Sequence, residues 1–283
     1  MDSIILIFII IGCTLQSVVK KMYNKRVSGG AFTFSAGSSA IALVFFLITS
    51  GGKLNFTSDF IPYSIGFAVT FSAATVFSFL AIVEGSLALT SLVTSYSLLI
   101  PTVYGLIALH EPIDFKLILG ILLLMVSLLL INIESKGEKK KLTWKWGIYV
   151  LLAFVGNGGC SLVQKVQQIQ FEGQYKNEFM IVAYGISVVA LLASAIFYDK
   201  KVLYYLKTGW YCWVANGAFN GLVNLLVMVL AMTMAASVMF PLISAGGIVA
   251  TFFVSLLVYK ERFSVAQTIG LLLGIGSVVL LNM

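Results

Sequence analysis

The sequence predicts an all-α integral membrane protein whose ten transmembrane helices form two five-helix repeats of inverted topology. Three observations predict it. Of 283 residues 60% are hydrophobic and only 10% charged, with a mean hydropathy of +1.02, whereas roughly a quarter of the residues in a soluble domain are charged. The apolar residues fall in ten runs broken by charges, Gly, Pro and Asn, each near the ~20 residues that a helix needs to cross a hydrocarbon core. An internal repeat is also visible: Leu80 to Ile133 overlies Leu230 to Met283 at a constant offset of 150 residues without a gap.

The spans cover 3–20, 30–50, 60–82, 87–109 and 115–133, then 146–167, 178–198, 209–231, 236–258 and 265–282. The first five make one repeat, residues 1–134, and the last five make the second, residues 146–283. Residues 135–145, with five lysines, are the polar linker between them. The first run is read as a retained helix rather than a cleaved leader, because Met1-Asp2-Ser3 carries no basic residue and no A-x-A-like site follows. Cys13, Cys160 and Cys212 lie in or at the edge of apolar spans and are odd in number, so neither a disulfide framework nor a metal site is expected.

The repeat register pairs Glu111 with Glu261, Gly120 with Gly270, Ser127 with Ser277 and Asn132 with Asn282. Leucine matches are cheap in such a composition, but Glu, Gly, Ser and Asn in one register are not. Five spans per repeat is an odd number, so the second repeat must lie upside down relative to the first. In transporters built this way the substrate site lies near the bilayer midplane between repeats.

Orientation follows from the cations. Connections after spans 1, 3, 5, 7 and 9 hold fourteen Lys and Arg residues, and the opposite face holds four. The positive-inside rule makes the first face cytoplasmic and both termini extracytoplasmic. A multi-pass plasma-membrane protein is expected, and the net charge of +7 reads as a topology signal that needs no nucleic-acid partner.

Several motifs carry a resemblance to a known family. They are the Gly12 to Lys20 spacing at the end of span 1, the short connection from span 3 to span 4, and the triplets His110-Glu111-Pro112 and Lys260-Glu261-Arg262 after spans 4 and 9. Each triplet precedes a Gly-containing span, at Gly120 and Gly270. In these features the chain resembles the EamA-type members of the drug/metabolite transporter superfamily over essentially its whole length. The resemblance implies the ten-helix inverted repeat and a transport function. It also implies both termini inside, opposite to the charge count, which is the reading followed here.

Polar side chains inside the hydrocarbon are costly unless they face the bundle interior or a water-filled cavity, which makes them the first functional candidates. Asn216, Asn220 and Asn224 recur every four residues and Trp213 lies seven before Asn220, so all four share one helical stripe. Amides that donate and accept, beside a flat apolar wall, suit a neutral or zwitterionic solute. The competing reading is that they bind helices to one another. Span 6 carries Asn157, Ser161, Gln164 and Gln168 on a second stripe, and Gln16 on span 1 is the counterpart helix's contribution. Tyr96, with Pro101 five residues later as an expected kink, corresponds to Gly246 in the repeat register, and Ser97 to Gly247. Thr70 corresponds to Asn220. A near-symmetric scaffold would thus have an asymmetric lining, with close helix packing as the other reading of Gly246-Gly247.

Carboxylates map to helix ends or connections, except Glu84, which has apolar sequence on both sides and is a candidate coupling or gating group. Lys20 and Lys165 are read as snorkelling to headgroups, with a role in steering anionic solutes as the alternative. His110 is read as an exposed loop residue. These residues predict a secondary transporter or facilitator of small polar metabolites, such as amino acids, working by alternating access. An exporter of amphipathic drugs or organic cations is the alternative within transport, and a non-transporting structural or receptor-like subunit the alternative outside it. One His and no converging nucleophile, base or metal ligands argue against an enzyme. No cofactor is expected. The expected partners are a small-molecule solute, the lipid bilayer, a proton if transport is coupled, and at most a weakly associated second copy.

Overall fold

A computed structural model of the chain describes residues 2–27, 29–84, 87–133, 143–257 and 264–281, and every regular element among them is helical. The helices are α1 (Asp2–Arg26), α2 (Ala31–Thr49), α3 (Ile61–Glu84), α4 (Leu87–Ser95), α5 (Leu99–Ala108), α6 (Phe115–Ile133), α7 (Trp144–Gln170), α8 (Lys176–Tyr198), α9 (Val202–Thr208), α10 (Trp210–Leu230), α11 (Ala236–Leu257) and α12 (Val265–Leu281). Among the described residues eight stretches are long and apolar enough to cross a membrane, and Phe115–Ile131 and Val265–Leu281 are shorter apolar helices. The chain is therefore an all-helical, membrane-embedded protein. Residues 134–142 of the linker region and the Lys260-Glu261-Arg262 triplet lie outside the described residues.

The helices follow the apolar runs closely, with three differences. α1 continues past Lys20 to Arg26, because a basic, polar turn can extend a helix into the headgroup region without burying its charges. The seven-residue α9 has no counterpart among the predicted spans. The fourth run is divided by a 3-10 turn at Tyr96–Leu98 between α4 and α5. Pro101 explains the division: its ring crowds the carbonyl four residues back, at Ser97, and it supplies no N–H. Thr102 Oγ1 donates to the Leu98 carbonyl at 2.8 Å, satisfying one of the groups loosened there.

The chain divides into two compact units. The first comprises Met1–Val76 with Val163–Thr233, and the second Phe77–Leu162 with Met234–Met283. In the first, α10 packs on α1 and α2, and α2 on α8. Small residues set the spacing. A Cβ added to Gly12 would lie 2.5 Å from Cγ2 of Val223, one on Gly217 would collide with the Ser38 carbonyl, and one on Gly221 would lie 2.7 Å from the Phe45 ring. Glycines four apart on one helix face let backbones approach closely, which is how helices associate where lipid removes the hydrophobic drive.

In the second unit α6 and α12 are the most closely joined pair. Ser127 Oγ donates to the Gly270 carbonyl at 2.6 Å, and Ser277 Oγ donates to the Gly120 carbonyl at 2.7 Å. The pattern is reciprocal: each helix gives one serine and receives at one glycine. α11 packs against α5 and α12, and its first turn is capped by Glu111, whose Oε1 accepts from Ala236 N–H at 2.7 Å and Oε2 from Ser237 N–H at 2.8 Å. A carboxylate there satisfies orphan donors and sits at the positive end of the helix dipole. Outward faces carry exposed apolar side chains such as Ile7 and Phe8 on α1 and Leu122 and Val126 on α6, as lipid contact requires.

Candidate functional site

The four-residue period of asparagines on α10 puts them on one side of that helix, and the first unit builds a polar cluster around the third. Asn224 Oδ1 accepts from Gln164 Nε2 at 2.7 Å. Asn224 Nδ2 donates to the Tyr184 hydroxyl at 3.0 Å and to the Asn220 carbonyl and Oδ1, both at 2.8 Å. Three helices, α7, α8 and α10, are thus tied by one amide. Tyr184 is fully buried and held by rings: Phe46 stacks on it at 6.0 Å, and Phe67 and Phe71 meet it edge-on at 6.1 and 5.8 Å.

Polar capacity is left over beside this network. Asn220 Nδ2 makes no hydrogen bond with a described residue, and Asn216, only 4% exposed, has its Oδ1 buried without a partner. An unpaired buried amide oxygen costs about 1–3 kcal/mol, so the stripe is built with groups that a polar guest or water would satisfy. Gln16 on α1 is half-buried and also makes no hydrogen bond with a described residue.

The remaining predicted residues of the first unit behave differently. Thr70 Oγ1 turns back on its own helix, donating to Gly66 and Phe67 carbonyls at 2.8 and 3.0 Å. Trp213, read from sequence as a flat wall, donates through Nε1 to the Leu206 carbonyl at 3.1 Å, and its ring covers Gly37. The indole therefore locks α10 to α2 and to the short α9. Lys165 is a correction. It does not snorkel: it is 5% exposed and its Nζ donates to the carbonyl of Ala231, the C-cap residue of α10, at 2.6 Å. A cation at the negative end of a helix dipole is well placed there. Gln168 is fully buried. Its Nε2 donates to Gln167 Oε1, its Oε1 has no partner, and Gln167 Nε2 donates to the Gln174 carbonyl at 3.2 Å.

In the second unit Tyr96 donates its hydroxyl to the Met125 carbonyl at 2.8 Å, and it packs against the buried cluster formed by Leu92, Leu98, Leu124, Leu128 and Ala245. Asn157 is half-buried and makes no hydrogen bond with a described residue. A Cβ on Gly247 would meet no atom within 4 Å, so close packing is not what that glycine serves. Glu84 accepts from Thr143 Oγ1 at 3.0 Å, and the same hydroxyl accepts from Trp146 N–H at 3.2 Å as the cap of α7. His110 is exposed, as expected, with a left-handed backbone (φ 51°).

Sequence reasoning missed Tyr184 and Gln167. The run Gln164-Lys165-Val166-Gln167-Gln168, polar at four of five positions inside a helix, is a signal for Gln167. Nothing local marks Tyr184, whose importance comes from what α10 and the phenylalanines bring to it.

No family model matches the sequence, and no curated protein matches it. Twenty-nine chains of solved structures resemble it in fold. One of them, a crystal structure, is similar over 99% of this chain and 95% of its own, with a TM-score of 0.81 at 12% identity. That likeness concerns the fold alone.

Proposed function

We propose that the protein is a secondary transporter or facilitator of small polar metabolites, amino acids or related compounds, with the α10 asparagine stripe as its recognition surface. The observation that carries this reading is the surplus of amide groups on that stripe: Asn216 Oδ1 buried without a partner, and Asn220 Nδ2 without a hydrogen bond to any described residue, in a helix of membrane-spanning length. Neither group is consumed by the hydrogen bonds that tie α10 to α7 and α8.

The reading extends to architecture: ten spans in two inverted repeats, of the EamA type. Its support is the reciprocal serine–glycine pairing. Shifting Ser127 and Gly120 by the repeat offset yields Ser277 and Gly270, so the two bonds exchange under the repeat operation. Gly12-Cys13-Thr14-Leu15 and Gly159-Cys160-Ser161-Leu162 add a similar match early in each half. Each compact unit also draws corresponding helices from both halves, as α2 with α8 and α6 with α12. Alternating access in such proteins is rocking of one bundle against another.

A cation exporter is disfavoured because four carboxylates near the helices are already occupied: Glu111 by α11, Glu178 by Asn55 N–H at 2.9 Å, Asp199 by Thr33 and Glu84 by Thr143. The experiment is a thermal-stability screen of purified protein against amino acids, nucleobases, amines and sugars. Saturable stabilisation by one polar class is expected; stabilisation by organic cations alone would overturn the reading.

A further inference from the structure

At the junction of α1 and α2 the first unit contains a half-open cavity of about 170 Å³, lined by Lys20, Tyr23, Asn24, Ala31, Phe34 and Ser35. Its hydroxyls are spoken for: Tyr23 donates to the Gly30 carbonyl at 3.3 Å and Ser35 to the Ala31 carbonyl at 2.9 Å. The Tyr23 and Phe34 rings, 4.6 Å apart, make one apolar side. Lys20 is different. Its ammonium makes no hydrogen bond or ion pair with a described residue, and the exposed Asn24 amide one turn on is equally unengaged.

Two charges nearby are committed elsewhere. Arg26 lies over the Tyr211 ring, 5.5 Å from its centroid. Asp199 accepts from Thr33 N–H at 2.6 Å and from Thr33 Oγ1 at 2.7 Å, so the first turn of α2 already holds its own anion, and Lys20 is the cation among the residues that line the cavity. An ammonium offers three donors, and hydrogen bonds between ionised partners are roughly twice as strong as neutral ones. The volume is below the ~300–1,000 Å³ of pockets for drug-sized ligands, which limits the guest to something of headgroup size.

We propose that this cavity binds a small anionic group, a carboxylate or phosphate, with Lys20 Nζ as its charge partner and Asn24 as a second donor. The group can arrive on a lipid headgroup or on a free solute. The proposal stands apart from the asparagine stripe on α10 and does not depend on transport.

Full-length protein in neutral detergent is titrated with inorganic phosphate, succinate, short-chain phosphatidylglycerol and short-chain phosphatidylcholine, with thermal stability as the readout. Saturable stabilisation by at least one anionic probe is expected, with the apparent affinity at least tenfold weaker in Lys20→Met and unchanged in Lys53→Met. A response to phosphatidylglycerol alone assigns the site to lipid, and a response to phosphate or succinate assigns it to a free solute. Asn24→Asp, an exposed change that adds a like charge, should weaken the same probe and decides the matter if Lys20→Met does not fold. The proposal is overturned if no anionic probe saturates, if phosphatidylcholine acts equally, or if Lys20→Met and Asn24→Asp titrate as the wild type does.

Discussion

Asn224 and Asn220 lie one turn apart on α10, yet the structure gives them different duties. Asn224 is spent on Gln164, Tyr184 and Asn220, whereas Asn220 keeps a free Nδ2. Tyr184→Phe should therefore lower stability by about 0.6 kcal/mol, the average for a side-chain hydrogen bond in a membrane bundle, and leave solute binding in place; thermal unfolding with and without solute separates the two effects. Gly217→Ala should cost about 1–3 kcal/mol through overpacking, because its Cβ meets the Ser38 carbonyl, while Gly247→Ala, with open space around it, should unfold as the wild type does. The stripe was legible in the sequence because a four-residue period needs no tertiary knowledge. The duties of Trp213 and Lys165 were not. An indole on the asparagine stripe reads as a wall of the site, and a lysine near a helix end reads as interfacial, until Gly37 and the end of α10 are brought against them.

At the scale of the helix, serine–glycine reciprocity makes a quantitative demand. Ser127→Ala and Ser277→Ala each remove one hydrogen bond of the same kind from the α6–α12 pair, so their losses of thermal stability should be equal and individually small, about 0.6 kcal/mol. A large inequality would mean that the two bonds are not equivalent. Helix positions themselves were largely visible, since apolar runs between charges leave the backbone no alternative to helix in lipid. α9 was invisible because seven residues ending in Lys207-Thr208 carry no membrane-length signal. The break at Tyr96 lay one turn before the proline that causes it.

For the molecule as a whole, the cation asymmetry predicts sidedness. Lys165 is buried in the first unit, so only three lysines remain on the less basic face, and the charge bias is sharper than the sequence count implied. In a cysteine-free background, a cysteine at Lys53 should react with a membrane-impermeant maleimide applied to intact cells, and one at Lys201 only after lysis. Matched residue types at one offset are visible along the chain; which helices join which is not, because spacing along a chain does not say that α6 meets α12 or that α2 meets α8.

The most direct test of the account is solute counterflow in proteoliposomes, using the polar class that stabilises the wild-type protein. The account predicts saturable exchange by wild type and by Gly247→Ala, and none by Asn220→Leu that is inserted to the same level and folded at the assay temperature. Undiminished exchange by Asn220→Leu would contradict it.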